Sequence, residues 1–143
     1  MNAQLQNSLP ESSPADTRPI ELLTENGFAI SRLWEINRMP PPSDGNYAFN
    51  VRDPQSMERV VAVEIANDVV VQIELRTRLR ILLSSSFWIC CAERHLATYV
   101  YENDGYPAGD RLRVEQLGAE ECTAAIRWGT TWNAEGSGMG FSL

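Results

Sequence analysis

The sequence predicts a single α+β domain: an antiparallel sheet of about five strands with one main amphipathic helix packed on one face. Two patterns lead to this fold class. Apolar and polar residues alternate along several segments, as they do in half-buried strands, and from residue 87 onward the apolar spacing becomes that of a helix. The chain has 143 residues, 43% hydrophobic and 22% charged, so it is long enough to bury a core of its own.

The longest alternating stretch predicts a β-hairpin. Residues 58–65 and residues 69–81 both alternate with a period of two, and both are rich in β-branched residues. A three-residue loop at 66–68 keeps their apolar rows on the same face, whereas a two-residue loop would move one row to the wrong face. Residues 77–81 then extend beyond their partner strand. Because unpaired backbone groups need hydrogen bonds, this overhang is expected to pair with residues 28–36 or 111–115 of the same chain or with a second copy of itself. Of these, we favour the homodimer.

Three further segments have the alternation of strands, namely residues 28–36, 47–51 and 111–115. The first two are separated by residues 38–46, which contain three consecutive prolines and an Asp-Gly pair and are expected to form a loop. Together with the hairpin, these strands give an antiparallel sheet.

Helices are predicted at three places, namely residues 19–26, 87–103 and 119–128. The first has a proline at its start and Gly27 after its end. The second is the principal helix, with Trp88 and Leu96 in the core, and the third has two acidic residues in its first turn. This order of elements in a small acidic chain is similar to that of bacterial secretion-chaperone-like domains, a likeness of fold that fixes no function.

The ends of the chain differ from its centre in composition. Residues 1–18 are polar and lack apolar periodicity, and residues 133–143 are rich in Gly and Ser. We expect a disordered N-terminal tail at 1–18, a folded domain at 19–132 and a flexible C-terminal tail at 133–143.

Charge and cysteine content narrow the function classes. The net charge of −7 disfavours nucleic acid and anionic membranes as partners. No signal-peptide pattern or membrane-length apolar run is present, and three cysteines make a poor disulfide framework, so a cytoplasmic location is expected. All twelve basic residues are arginine, which suggests a GC-rich bacterial source.

The nearest arrangement to a catalytic site is Cys91 with His95, four residues apart on one flank of the principal helix and followed by Glu102. Such a pair could activate a thiolate, but the sequence offers no oxyanion hole or electropositive setting for the sulfur. A buried, inert cysteine beside a boundary histidine explains the same residues. A zinc site is not expected because Cys90 and Cys91 diverge by about 100° on a helix. The loop at 104–110 lacks the ligand spacing of a calcium site, so neither a metal nor a cofactor is expected.

The remaining functional signal is a row of arginines on the outer face of the predicted long strand, Arg76, Arg78 and Arg80. Three apolar residues share that face, namely Val60, Ala62 and Val70. The row could guard a sheet edge or pair with neighbouring glutamates. It could also bind an acidic segment of a partner protein, because mixed apolar and arginine surfaces are common at interfaces. The sequence thus favours a non-catalytic protein-interaction module, chaperone-like, inhibitory or regulatory, that binds through a sheet face or edge. A small thiol-dependent enzyme using Cys91 and His95 is the alternative.

Overall fold

A five-stranded sheet forms the centre of the computed structural model, which describes residues 20–136, with side chains as far as residue 128. The strands lie side by side in chain order: β1 (Glu21–Leu23), β2 (Ala29–Arg32), β3 (Asn46–Arg52), β4 (Glu58–Ile65) and β5 (Arg111–Val114). The first four pair antiparallel, whereas β5 runs parallel to β4. The α+β class and the five strands are therefore confirmed, but the sheet is mixed rather than antiparallel throughout.

The helices are α1 (Leu33–Ile36), α2 (Asn67–Thr77), α3 (Ser86–Asn103) and α4 (Ala119–Gly136). The predicted principal helix is confirmed as α3, which packs on the central strands. Trp88 and Leu96 are fully buried, as expected. They meet the inward row of β3 and β4, where alternate residues such as Phe49 and Val63 are also fully buried.

The predicted strand at 69–81 is wrong, and with it the hairpin, because the segment forms α2 and the turn that follows. Strand β4 has no free edge for it: β3 occupies one side and β5 the other. A parallel pair also needs a crossover connection, and α2 and α3 supply it. Val69 and Ile73 lie one helical turn apart and are both about 2% exposed, so they anchor α2 to the core. The helix ends at Arg78, which adopts the left-handed conformation with φ of 56°.

The predicted helix at 19–26 is also wrong. Residues 21–23 form edge strand β1, in which Leu22 pairs with Ile30. The chain reverses at Gly27, whose φ is +99°, and the backbone N–H of Thr24 donates to the carbonyl of Phe28 at 2.9 Å. Pairing with β2 therefore outweighs the local preference for a helix that the proline at the start of this segment indicates.

The predicted strand at 28–36 is only partly correct. It ends at Arg32, and α1 then turns Trp34 inward. The indole of Trp34 lies 5.5 Å from the ring of Phe49 and 6.1 Å from that of Tyr47, centroid to centroid. Aromatic packing of this kind stabilises the short helix, which has little stability of its own.

The other predicted elements are confirmed, with small changes at their ends. Strand β3 contains residues 47–51, β5 lies within 111–115, and the proline-rich segment between α1 and β3 contains no helix or strand. Helix α4 continues to Gly136, so residues 133–136 are helical, although the sequence places them in a tail. The predicted tail at 1–18 and residues 137–143 lie outside the described residues.

Candidate functional site

The three predicted arginines lie at the C-terminal end of α2 and in the turn beyond it, not along a strand. Arg76 is in the last turn of the helix, Arg78 caps it, and Arg80 follows. All three are exposed. Positive side chains suit this position, because the C-terminal end of a helix carries partial negative charge. Since residues 77–81 are not an unpaired strand, the homodimer prediction loses its structural premise and stays untested.

Two exposed leucines flank these arginines. Leu75 is 73% exposed and Leu82 is 65% exposed. We call Leu75, Arg76, Arg78, Arg80 and Leu82 the arginine–leucine surface. Within the described residues, its one salt bridge is a 3.8 Å contact between Arg80 and Glu74, and the Arg80 side chain remains 83% exposed. The surface is therefore positively charged and apolar, and its guanidinium groups remain available to an external partner.

The predicted apolar members of the site do not join the arginine–leucine surface. Val60 and Ala62 lie on β4, where alternation with the buried Val61 and Val63 directs them to the sheet face opposite α3. Val70 is on α2, partly buried and packed against the core. The three arginines thus lie together at the end of α2, whereas Val60 and Ala62 lie on β4 and Val70 packs against the core.

A separate cleft lies between α3, β5 and the start of α4. It has a volume of about 540 Å³, and its walls include Arg94, His95, Glu102, Arg113 and Glu121. At its base, the Nε2 atom of His95 lies 2.8 Å from Oε1 of Glu121, and the same oxygen accepts the backbone N–H of Gly118 at 3.1 Å. The cleft is thus lined by charges of both signs, and its histidine is already bound to a carboxylate.

The surroundings of Glu121 favour the ionised form of its carboxyl. Burial by itself would raise the pKa of Glu121, but hydrogen bonds from His95 and Gly118, and the positive charges of His95 and Arg94, outweigh it. The pKa of this carboxyl is therefore below its ordinary value. Its second oxygen, Oε2, is buried and has no hydrogen-bond partner among the described residues.

Cys91 is in a poor position for nucleophilic chemistry. The residue is only 4% exposed. Burial, followed by the negative charge of Glu121, raises the pKa of its thiol to about 12. A catalytic cysteine instead needs an accessible sulfur and a pKa lowered by positive charge. His95, which the thiol-dependent alternative pairs with Cys91, is hydrogen-bonded to Glu121.

One buried polar contact was not visible from the sequence. Arg32, at the end of β2, forms a two-point contact with Glu93 of α3, with N–O distances of 3.1 and 3.3 Å. Their side chains are only 15% and 10% exposed. The carboxylate is stable there because a residue 61 positions earlier supplies its charge partner.

The described residues contain no cluster of three or more His, Cys, Asp or Glu side chains suited to a metal ion. No helix in this part of the chain combines the length and the apolar character that a membrane span requires. A scan against models of known protein families found no match, and neither did searches of curated proteins and of solved structures.

Proposed function

We propose that the protein is a non-catalytic interaction module that binds an acidic, partly apolar segment of a partner protein. The arginine–leucine surface carries this proposal. Three arginines and two strongly exposed leucines fall within eight residues, in a chain whose net charge is −7. Arginine is enriched at interface centres, where its planar group can bind a carboxylate through two hydrogen bonds.

The thiol-dependent alternative is less well supported. It needs an activated Cys91, and this thiol is buried with a raised pKa. His95 could still act as an acid or base, but its ring nitrogen is already engaged by Glu121 at 2.8 Å. A binding role requires no such activation, and it uses side chains that are accessible.

Binding of a labelled peptide tests the proposal. The probe is a fluorescein-labelled peptide in which acidic residues flank one central leucine, and binding is followed by fluorescence anisotropy at low and high salt. We expect the wild type to bind it and the affinity to fall as salt rises, because exposed charge pairs are screened. The double variant Arg76→Glu and Arg80→Glu should bind about tenfold more weakly, since exposed ion pairs contribute up to about 1 kcal/mol each.

A matched control separates local charge from net charge. The double variant Arg111→Glu and Arg113→Glu changes the net charge by the same amount on β5, outside the arginine–leucine surface. It should retain most of the affinity. Equal losses in both double variants, or no binding to the wild type, would refute the proposal. Arg78 is left unchanged because its left-handed backbone also ends the helix.

A further inference from the structure

A small pocket adjoins the arginine–leucine surface and has an apolar lining. It has a volume of about 260 Å³ and is bounded by Leu79, Arg80, Ile81, Leu82, Ser85 and Trp128. Most of these residues belong to the turn between α2 and α3, and Trp128 closes the pocket from α4. The arginine–leucine surface shares Arg80 and Leu82 with the pocket, so the two features are continuous.

Hydrogen bonds hold the walls of the pocket in place. The hydroxyl oxygen of Thr77 lies 2.9 Å from the carbonyl oxygens of Ile73 and Leu79, to either of which it can donate, and it accepts the backbone N–H of Leu79 at 3.2 Å. The carbonyl of Ile81 accepts the indole N–H of Trp88 at 3.1 Å, and Ser85 N–H donates to the carbonyl of Leu82 at 2.9 Å. A preformed pocket loses little conformational freedom when it is filled.

We infer that this pocket is the anchor subsite of the arginine–leucine surface and accepts one large apolar side chain from the acidic partner segment. The inference rests on the proposed function and specifies its partner. The pocket supplies an apolar cavity with an indole wall, which is the setting in which single anchor residues carry much of a binding energy. Among the residues whose side chains are described, the charged one in its wall is an arginine and no carboxylate lines it, so an anchor flanked by acidic residues is complementary to it.

A double-mutant cycle, with one substitution in the protein and one in the peptide, tests the inference. The probes are the fluorescein-labelled peptide with a central leucine and its counterpart with a central alanine. We expect the leucine peptide to bind wild-type protein about tenfold more tightly than the alanine peptide. Leu82→Ala should weaken the leucine peptide about fivefold and leave the alanine peptide almost unchanged, because the two changes remove the same contact. Leu82 is 65% exposed, so this variant should remain folded.

Leu23→Ala is the matched control, since Leu23 is 67% exposed but lies on β1, at the far edge of the sheet. It should bind both peptides as the wild type does. If the two peptides bind equally well and their binding still depends on Arg76 and Arg80, the anchor subsite is wrong and the proposed function stands. If neither peptide binds, both are wrong. The peptide comparison in the wild type decides the inference even if a variant is destabilised.

Discussion

Glu121 shows how one side chain can decide the chemistry of its neighbours. It lies at the start of α4 and is only 7% exposed. Its carboxylate binds His95 and the backbone of Gly118, and burial, together with the charge of Glu121, raises the pKa of the Cys91 thiol. Hydrogen bonds favour the ionised form of the carboxyl. A single acidic residue therefore links α4 to α3 and adds to the effect of burial on the pKa of the nearby thiol.

Thiol labelling tests the state of Cys91. With iodoacetamide at pH 8, we expect the exposed Cys90 to be alkylated quickly and Cys91 to react only as the protein unfolds. Peptide mapping by mass spectrometry distinguishes the two sites, and labelling in urea gives the unprotected rate. Fast alkylation of native Cys91 near neutral pH would instead favour the thiol-dependent enzyme.

The lowered pKa of Glu121 predicts the direction of a pH effect. A carboxyl whose pKa is lower in the folded than in the unfolded state stabilises the fold at pH values above its unfolded-state pKa. This contribution is lost as the pH falls through the folded-state pKa. We therefore expect the unfolding free energy of the wild type to decline below about pH 4.5, the ordinary value for this group. At pH 7, Glu121→Gln should be less stable than the wild type, but its unfolding free energy should decline less as the pH falls. Urea unfolding at several pH values measures both curves.

Glu120→Gln is the control for this effect, because Glu120 is an exposed neighbour in the same helical turn. Its stability should follow the wild-type curve. A Glu121→Gln curve parallel to the wild type would show that another group causes the acid dependence.

Helix α2 is an element whose type depends on its surroundings. Its first residues include three consecutive valines, which favour strands when a sheet edge is free. As a helix, the segment buries one narrow row through Val69 and Ile73 and leaves Val71 and Leu75 exposed. The outward row contributes little to folding and is available for binding.

Alanine substitutions distinguish the helix from a strand, because a strand with a period of two would bury Ile73 and Leu75 alike. In the helix, Ile73 is 2% exposed and Leu75 is 73% exposed. We expect Ile73→Ala to lower the unfolding free energy by about 3 kcal/mol. Leu75→Ala should change it by about 0.5 kcal/mol or less. Chemical denaturation measures both, and similar large losses would favour the strand.

At the scale of the whole molecule, the N-terminal hairpin is tied to the far end of the main helix. The side-chain amide of Asn26, in the turn between β1 and β2, donates to the carbonyl of Val100 at 3.0 Å and to the carboxylate of Asp104 at 3.1 Å. The last carbonyls of a helix have no partner within the helix itself. Asn26 therefore caps α3 and attaches an edge strand to it.

Asn26→Ala should cost about 1 kcal/mol of unfolding free energy, since it leaves a helix carbonyl without this donor. Amide hydrogen exchange in the last turn of α3 should also become faster. Asn103→Ala is the control, because the Asn103 amide donates to the carbonyl of Tyr99 within the same helix. Equal effects of the two variants would contradict a long-range role for Asn26.

Much of the fold and little of the candidate site could be predicted from sequence. Alternation located β3 and β4, and helical spacing located α3 with Trp88 and Leu96 in its buried row. These signals are local, because the buried face of a strand or helix follows from the spacing of apolar residues within that one segment. The arginines were identified as a surface feature, but their partners Leu75 and Leu82 were missed, because the strand interpretation had placed Leu75 inward.

The sequence by itself determined the α+β class, the central strands and the buried face of the main helix. The tertiary structure alone decided that residues 67–77 form a helix and that residues 21–23 form a strand. The reason is long-range competition for strand edges. Strand β5 takes the free edge of β4 and thereby excludes the valine-rich segment. A valine-rich segment is compatible with the apolar spacing of both a strand and a helix. Its own residues do not show which later segment of the chain will pair with the free edge of β4.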